Sequence, residues 1–276
     1  MAHPGVKRHV EIATVNLNMN IMQEPVYQFP PSAVDAILDP HTRSVIRLLQ
    51  SARIPVRIVG GAVRDMLRNL PPRDVDLVAD ASPSMLIYLF QAHDWSVDTG
   101  GIQHGTVKVV FGSGATEQKV DVSSLGYRIS RHGQDYRVRH THSWEVDSGL
   151  RDLSINSMSM DTQGRVYDYQ NGYSDLRDQI VRLGPHADDS LHLDPAGIMR
   201  YFRALSQFPR PKVLHKDLDY IKSHVHLLAD VSDDKKVQMN MISILKSPHR
   251  SNALKIMCAM NINKYLPYAP CGDITS

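Results

Sequence analysis

The sequence has only two cysteines among its 276 residues, Cys258 and Cys271, both close to the C-terminus. Two are too few for a disulfide framework or a cysteine-built zinc centre, so the expectation is a reduced, intracellular, cytoplasmic chain. Long apolar runs are missing as well. No stretch reaches the roughly 20 residues that cross a bilayer, and the opening MAHPGVKRHVEIATVNLNMN lacks the continuous apolar region of a signal peptide. Neither charge sign dominates: 31 Lys and Arg against 29 Asp and Glu leave +2, which excludes a strongly basic DNA-coating protein and gives no sign of a disordered chain. G-x-x-x-x-G-K-[ST] does not occur, so this is not a P-loop protein, and GSGATE is too sparse for a dinucleotide fingerprint.

What is present suits one or two globular domains with a real core, since 42% of residues are hydrophobic. Residues 1–32 carry scattered Pro and Asn and read as an irregular extension. Residues 31–52 have helical spacing (Val34, Ile37, Leu38, Val45, Leu48, Leu49) and Pro40 divides them into two helices. A buried strand over 54–59 then ends in Gly-Gly, 62–70 reads as a helix, PPRD as a turn and VDLVAD as a second strand. SPSMLIYLFQAH is a Ser-capped helix; TVKVVFG and QKVDVSSL are two strands joined at GSG; YRVRH is a further strand. From about 147 the character changes: LRDLSINSMSM is expected to be helical and VYDY a short edge strand or turn. After DPAGIMRYFRALSQF the pattern is helical through LDYIKSHVHLLADV, DDKKVQMNMISILKS and RSNALKIMCAM, whose methionines read as helix core. The expected fold is α+β: a mixed-sheet head followed by an all-helical neck.

The chemistry centres on RIVGGAVRDMLRNLPPRDVDLVAD, residues 57–80. Asp74 and Asp76 are two apart on the expected strand, so both side chains share one face while Val75 and Leu77 turn into the core. Carboxylates about 6 to 7 Å apart on one strand repel unless a cation lies between them. Mg²⁺ suits that role, being held by one or two carboxylates plus substrate phosphates. A bare D-x-D also occurs as a solvated edge-strand pair. Gly60 and Gly61, however, join a strand to a helix start, where backbone N–H groups and the helix dipole favour an anion and no Cβ blocks a phosphate. Arg64, one turn in, can reach the same anion as a planar fork.

These residues, in this order, resemble the class II CCA-adding enzymes and the related bacterial poly(A) polymerases, template-independent nucleotidyltransferases of the DNA polymerase β superfamily. VGGAVRDMLRNLPPRDVDL matches the family's first motif, HGTVKVV its [FH]-G-T strand and KVDVSSLGYR the next strand, with Asp121 where Glu is usual. DSGLRDLSINSMSMD matches the ribose-holding motif at Arg151, Asp152 and Asn156, with Leu150 in place of the first Arg. LDPAGIMRYFRALSQF matches the base-template motif at Asp194, Arg200 and Arg203, whereas Leu193 and Gly197 replace its Glu and first Arg.

The resemblance covers roughly residues 44–268 and implies a polymerase-β-like head. It assigns Mg²⁺ to Asp74 and Asp76, with Asp121 as third carboxylate; the triphosphate to Gly60, Gly61 and Arg64; the ribose to Arg151, Asp152 and Asn156; and the base to Asp194, Arg200 and Arg203. The implied domains are an extension (1–32), a nucleotidyltransferase head (33–188) and a helical neck (189–276) at the start of a body domain, with no tail. The implied activity is transfer of CTP- or ATP-derived nucleotides to an RNA 3′ end, tRNA CCA synthesis or repair first, without a membrane partner and with room for an oligomer. Gly197 has no side chain to pair with a base, which keeps two alternatives open: a poly(A) polymerase or other acceptor, and a catalytically silent RNA- or nucleotide-binding protein. YRISRHGQDYRVRH (127–140) reads equally as an RNA-phosphate surface with Tyr127 and Tyr136 for stacking or as a solvated hairpin. His140 and His142 share a strand face as metal-ligand pairs can, but no third ligand with suitable spacing is nearby, so they read as exposed strand residues. His104 reads as a packing or hydrogen-bonding residue near the active site.

Overall fold

The structure, a computed structural model, describes residues 23–130 and 136–271. It begins with β1 (Tyr27–Gln28), which pairs with a later strand, so the N-terminal extension becomes ordered sheet edge sooner than the sequence pattern suggested; residues 1–22 lie outside the described residues. Helices α1 (Pro31–Ile37) and α2 (Pro40–Ser51) flank the Pro40 break. Asp39 caps α2 by accepting from the backbone N–H groups of His41 and Thr42 at 2.8 and 3.1 Å. α2 lays Val45, Ile46, Leu48 and Leu49 against the sheet.

The chain then runs β2 (Val56–Val59), α3 (Gly61–Leu67), β3 (Asp76–Ala79), α4 (Pro83–Gln91), β4 (Ser96–Asp98), β5 (Thr106–Phe111), β6 (Gln118–Ser124), β7 (Gly126–Ser130) and β8 (Tyr136–His140). The short helix α5 (Trp144–Ser148) precedes β9 (Ser159–Met160), β10 (Arg165–Tyr167), α6 (Gly172–Arg177) and β11 (Ile180–Val181). Then come α7 (Ala187–Leu193), α8 (Ala196–Leu205), β12 (Lys212–Val213), α9 (His215–His224), α10 (Lys235–Leu245) and α11 (Arg250–Ala259). Eight strands form one sheet in the order β1-β10-β9-β2-β3-β6-β5-β4, and β7 and β8 make a separate hairpin. β3 and β6 are parallel while the other pairs of the large sheet are antiparallel, which makes the sheet mixed, as expected.

Three expectations fail locally. LRDLSINSMSM is not a helix: it holds a single 3-10 turn, Ser154–Asn156, followed by β9. The backbone finds other partners, Ser157 Oγ donating to Ser154 O at 2.5 Å and the Ser154 backbone N–H to Arg182 O at 3.1 Å, and such bonds compete with a helical ladder. VYDY is not an edge, because β1 covers β10. The cysteines are not reduced. The chain after α11 turns back and brings the Cα atoms of Cys258 and Cys271 to 5.3 Å, where they are joined as a disulfide.

Both faces of β3 are covered. Leu77 packs into the main core and Val78 joins Val59 and Leu125 in a smaller cluster under Trp144. From the helical part, α8 buries Ile198, Met199, Tyr201, Phe202 and Leu205. Met241, Met257 and Met260 are core residues, as their spacing suggested, whereas Met239 is about half exposed on α10. Among the described residues, no helix is long and apolar enough to cross a membrane.

Candidate nucleotide and metal site

Strand pairing explains how residues 16 apart in sequence come to share one cleft. β2 and β3 are antiparallel with Val59 opposite Asp76, so the turn that leaves β2 lies beside the start of β3. Gly60 takes φ +73°, ψ −131°, a conformation open essentially to glycine alone, and its backbone N–H donates to Met158 O. Asp74 lies just ahead of β3 rather than on it, since the strand begins at Asp76. β3 and β6 are parallel from Leu77 and Val122 onward, which sets Asp76 and Asp121 side by side one position earlier.

Neither Asp74 nor Asp76 makes a side-chain hydrogen bond or ion pair among the described residues. Asp76 opens onto the cleft, yet the walls crowd it: desolvation pushes its pKa up, the charges of Asp121 and Asp74 push the same way, and Arg151 and Lys108 oppose them. Asp121 is held by Lys108 Nζ at 2.5 Å, its cross-strand neighbour, and is not part of the cleft lining.

The opposite wall is a chain of polar contacts running from α3 to α8. Arg64, buried, donates Nη1 to Asn156 Oδ1 at 2.7 Å and Nε to Asp65 at 2.9 Å. Asn156 Nδ2 donates to Asp152 Oδ1 at 3.3 Å, Arg200 Nε to Asp152 Oδ2 at 2.5 Å, and Arg200 Nη1 to Asp194 Oδ2 at 3.0 Å. Burial alone would raise the Asp152 pKa, but the charge and hydrogen bond of Arg200 hold it below the usual carboxylate range. Burial would likewise lower Arg200, and Asp152 and Asp194 outweigh it, so the guanidinium stays charged. Arg151 is oriented by Asp147 Oδ2 at 3.0 Å. Arg203 is pushed down by burial, then by Arg64, and its guanidinium makes no hydrogen bond or ion pair among the described residues.

The resulting cleft has a volume of about 790 Å³. Gly60, Gly61, Arg64, Asp74, Asp76, Arg151, Asp152, Asn156, Asp194, Arg200 and Arg203 all line it; of the twelve sequence candidates only Asp121 stands behind the lining, one strand over. Sequence reasoning missed Arg68, Arg73 and Gln207, and also Lys246, which follows α10 and reaches the cleft from the end of a helix whose spacing spoke only of core. It also missed Asp147, whose other carboxylate oxygen accepts from the Gly126 backbone. At buried Gly197 a Cβ would stand 2.6 Å from Leu191 Cδ2, so any larger residue there requires the Leu191 side chain to move. His104 is exposed on the 3-10 turn Ile102–His104, outside the cleft lining. Tyr127 is 39% exposed on the β7–β8 hairpin, while the Tyr136 side chain and residues 131–135 lie outside the described residues.

A family profile described as "Poly A polymerase head domain" matches residues 56–182. The mitochondrial CCA tRNA nucleotidyltransferase 1 of Mus musculus is 30% identical over 227 residues, covering 81% of this chain and 51% of that protein. The CCA-adding enzyme of Ligilactobacillus salivarius is 30% identical over 227 residues, covering 81% and 53%. The chain therefore spans about half the length of the curated relatives it matches. A solved structure of the Bacillus stearothermophilus CCA-adding enzyme in complex with CTP superposes with TM-score 0.67 at 25% identity, covering 85% of this chain and 56% of that one. The Thermotoga maritima CCA-adding enzyme complexed with tRNA shares the fold at TM-score 0.64 and 19% identity, covering 88% and 56%.

Proposed function

Because the chain belongs to the family of CCA-adding enzymes and poly(A) polymerases, we propose that it transfers CTP- or ATP-derived nucleotides to an RNA 3′ end, the tRNA CCA end first. The observation that carries this is the convergence on one cleft of a glycine turn, two unpartnered carboxylates and a row of arginines. The reaction is attack of a 3′-hydroxyl on the α-phosphate of a nucleoside triphosphate, with pyrophosphate leaving.

Asp74 and Asp76 are the proposed Mg²⁺ ligands. Two carboxylates that face a cleft without an ion pair or hydrogen bond among the described residues, one of them already disfavoured as an anion, are a donor set suited to a hard divalent ion. When bound, such an ion neutralises charge on the reacting phosphate and lowers the pKa of the attacking hydroxyl. We assign Asp121 to the same carboxylate group as Asp76 rather than to proton abstraction, since Lys108 already occupies its Oδ2.

Gly60 and Gly61 let the triphosphate approach the backbone, with Arg64 as its cationic partner. Arg151 and Asp152 position the ribose, and Asn156 braces that motif against Arg64. Catalysis of this kind is mainly positioning and charge neutralisation. Asp194, Arg200 and Arg203 are left for the base. Asp194 is already bound to Arg200, and Leu191 fills the space beside Gly197. That packing favours a second reading in which nucleotide choice is narrower than C then A, as in an A-adding or C-adding enzyme.

The test is to incubate the protein with tRNA lacking its 3′ end, or with bulk RNA, plus each labelled triphosphate in turn. Metal-dependent incorporation into tRNA supports the first reading, single-nucleotide addition the second, and none with any acceptor overturns both.

A further inference from the structure

His140 and His142 lack a third ligand nearby in sequence, but the fold brings one from 60 residues away. Asp80 follows β3 directly, and its Oδ1 is 2.9 Å from His140 Nε2 and 2.8 Å from His142 Nδ1. The imidazole rings meet edge to face with centroids 4.6 Å apart, and the three ligand atoms all lie within 4.8 Å of one another. Ligands about 2.0 to 2.1 Å from a tetrahedral zinc ion stand about 3.3 Å from each other, so small side-chain movements close the set.

We propose that Asp80, His140 and His142 form a zinc site separate from the catalytic cleft. Two imidazoles and one carboxylate suit Zn²⁺ and are poor ligands for Mg²⁺ or Ca²⁺, which take oxygen donors. His142 is 77% exposed, which gives the ion an entry path and leaves the fourth position to water. The supporting backbone is fixed: Leu125 N–H donates to Ala79 O at 2.8 Å, Ser124 Oγ to Ala81 O at 2.7 Å and Thr141 N–H to Leu125 O at 2.9 Å. An ion here ties the root of the β7–β8 hairpin to the end of β3, the strand that starts at Asp76. That hairpin carries Arg128, part of the cleft lining, and exposed Arg137 and Arg139. Zinc therefore sets the position of a basic arm beside the cleft and takes no part in the chemistry.

Metal-stripped full chain is titrated with ZnCl₂ by calorimetry, and the Co²⁺-loaded form is examined by visible absorption. One ion per chain with a tetrahedral Co²⁺ spectrum is expected. His142→Ala, at an exposed position that leaves the fold intact, should weaken binding by at least about 100-fold, and Asp80→Asn should do the same. Mg²⁺ should compete with neither ion. No stoichiometric zinc binding, or binding unchanged in both variants and so located at other histidines, overturns the proposal. Neither outcome depends on nucleotide incorporation.

Discussion

Replacing Asp76 with Asn should move stability and activity in opposite directions. Carboxylates on adjacent strands stand about 5 to 6 Å apart, and at an effective dielectric of about 20 their repulsion is about 3 kcal/mol. Asp76 opens onto solvent, and Arg151 and Lys108 offset part of the repulsion, so the net relief in metal-free protein is about 1 kcal/mol. The pH dependence follows from the direction of the shift. A carboxyl whose folded pKa is raised contributes stability that is fully present below its unfolded value of about 3.9 and is lost as pH rises through the folded value. The advantage of Asp76→Asn over the parent chain should therefore vanish near pH 4 and open as pH rises. Urea unfolding in EDTA at several pH values measures this through the midpoint at constant m. Adding millimolar Mg²⁺ should narrow or invert the order, because only the parent chain retains the full ligand set. Incorporation should fall by at least about 100-fold. A variant less stable than the parent in EDTA at pH 7, or one that keeps its activity, would refute the reasoning.

Further outcomes follow from the same geometry. Arg200→Met strips buried Asp152 of its ion-pair partner, leaving only the unbonded charge of Arg203 near it, and should cost about 3 kcal/mol by urea unfolding, with Asp152→Asn in the same chain restoring part of it. Gly60→Ala places a Cβ where φ is +73° and should cost about 1 to 3 kcal/mol, read in the same way. Arg203→Ala, which breaks no protein hydrogen bond among the described residues, should leave the melting temperature within a few degrees while raising the KM for the nucleotide about tenfold or more. Gly197→Arg should destabilise by about 1 to 3 kcal/mol through the Leu191 contact, and should widen nucleotide choice only if Leu191 is also reduced to Ala.

The elements most visible in the sequence were those whose signals are local. Pro40 divides two helices, Gly60 closes β2, and alternation marks β5 and β6. The candidate cleft residues could be named for the same reason: each lies in a short run with fixed spacing, and the antiparallel pairing of Val59 with Asp76 then brings the glycine turn beside the aspartate pair. What stayed hidden depends on contacts between distant segments. The Ser154–Asn156 turn is decided by bonds to the Arg182 backbone and to local carbonyls, which no periodicity records. Lys246 reaches the cleft only because α10 packs on α8, and Asp80 meets His140 only because β3 ends beside the hairpin root. The disulfide depends on a turn after α11 that two isolated cysteines could not announce. The single continuous network from Arg64 to Asp194 could be named residue by residue from sequence, but not seen as one wall.

In the proposed site, the acidic groups at 74 and 76 clasp divalent ions against a triphosphate resting on the 60–61 turn. Anomalous diffraction from crystals soaked with Mn²⁺ and CTP or ATP tests it most directly. An anomalous peak is expected within about 2.5 Å of both the Asp74 and Asp76 carboxylates and of a phosphate oxygen, with the β- and γ-phosphates over Gly60 and Gly61. A nucleotide bound elsewhere, or Mn²⁺ absent from Asp74 and Asp76 while the triphosphate occupies the cleft, would contradict it.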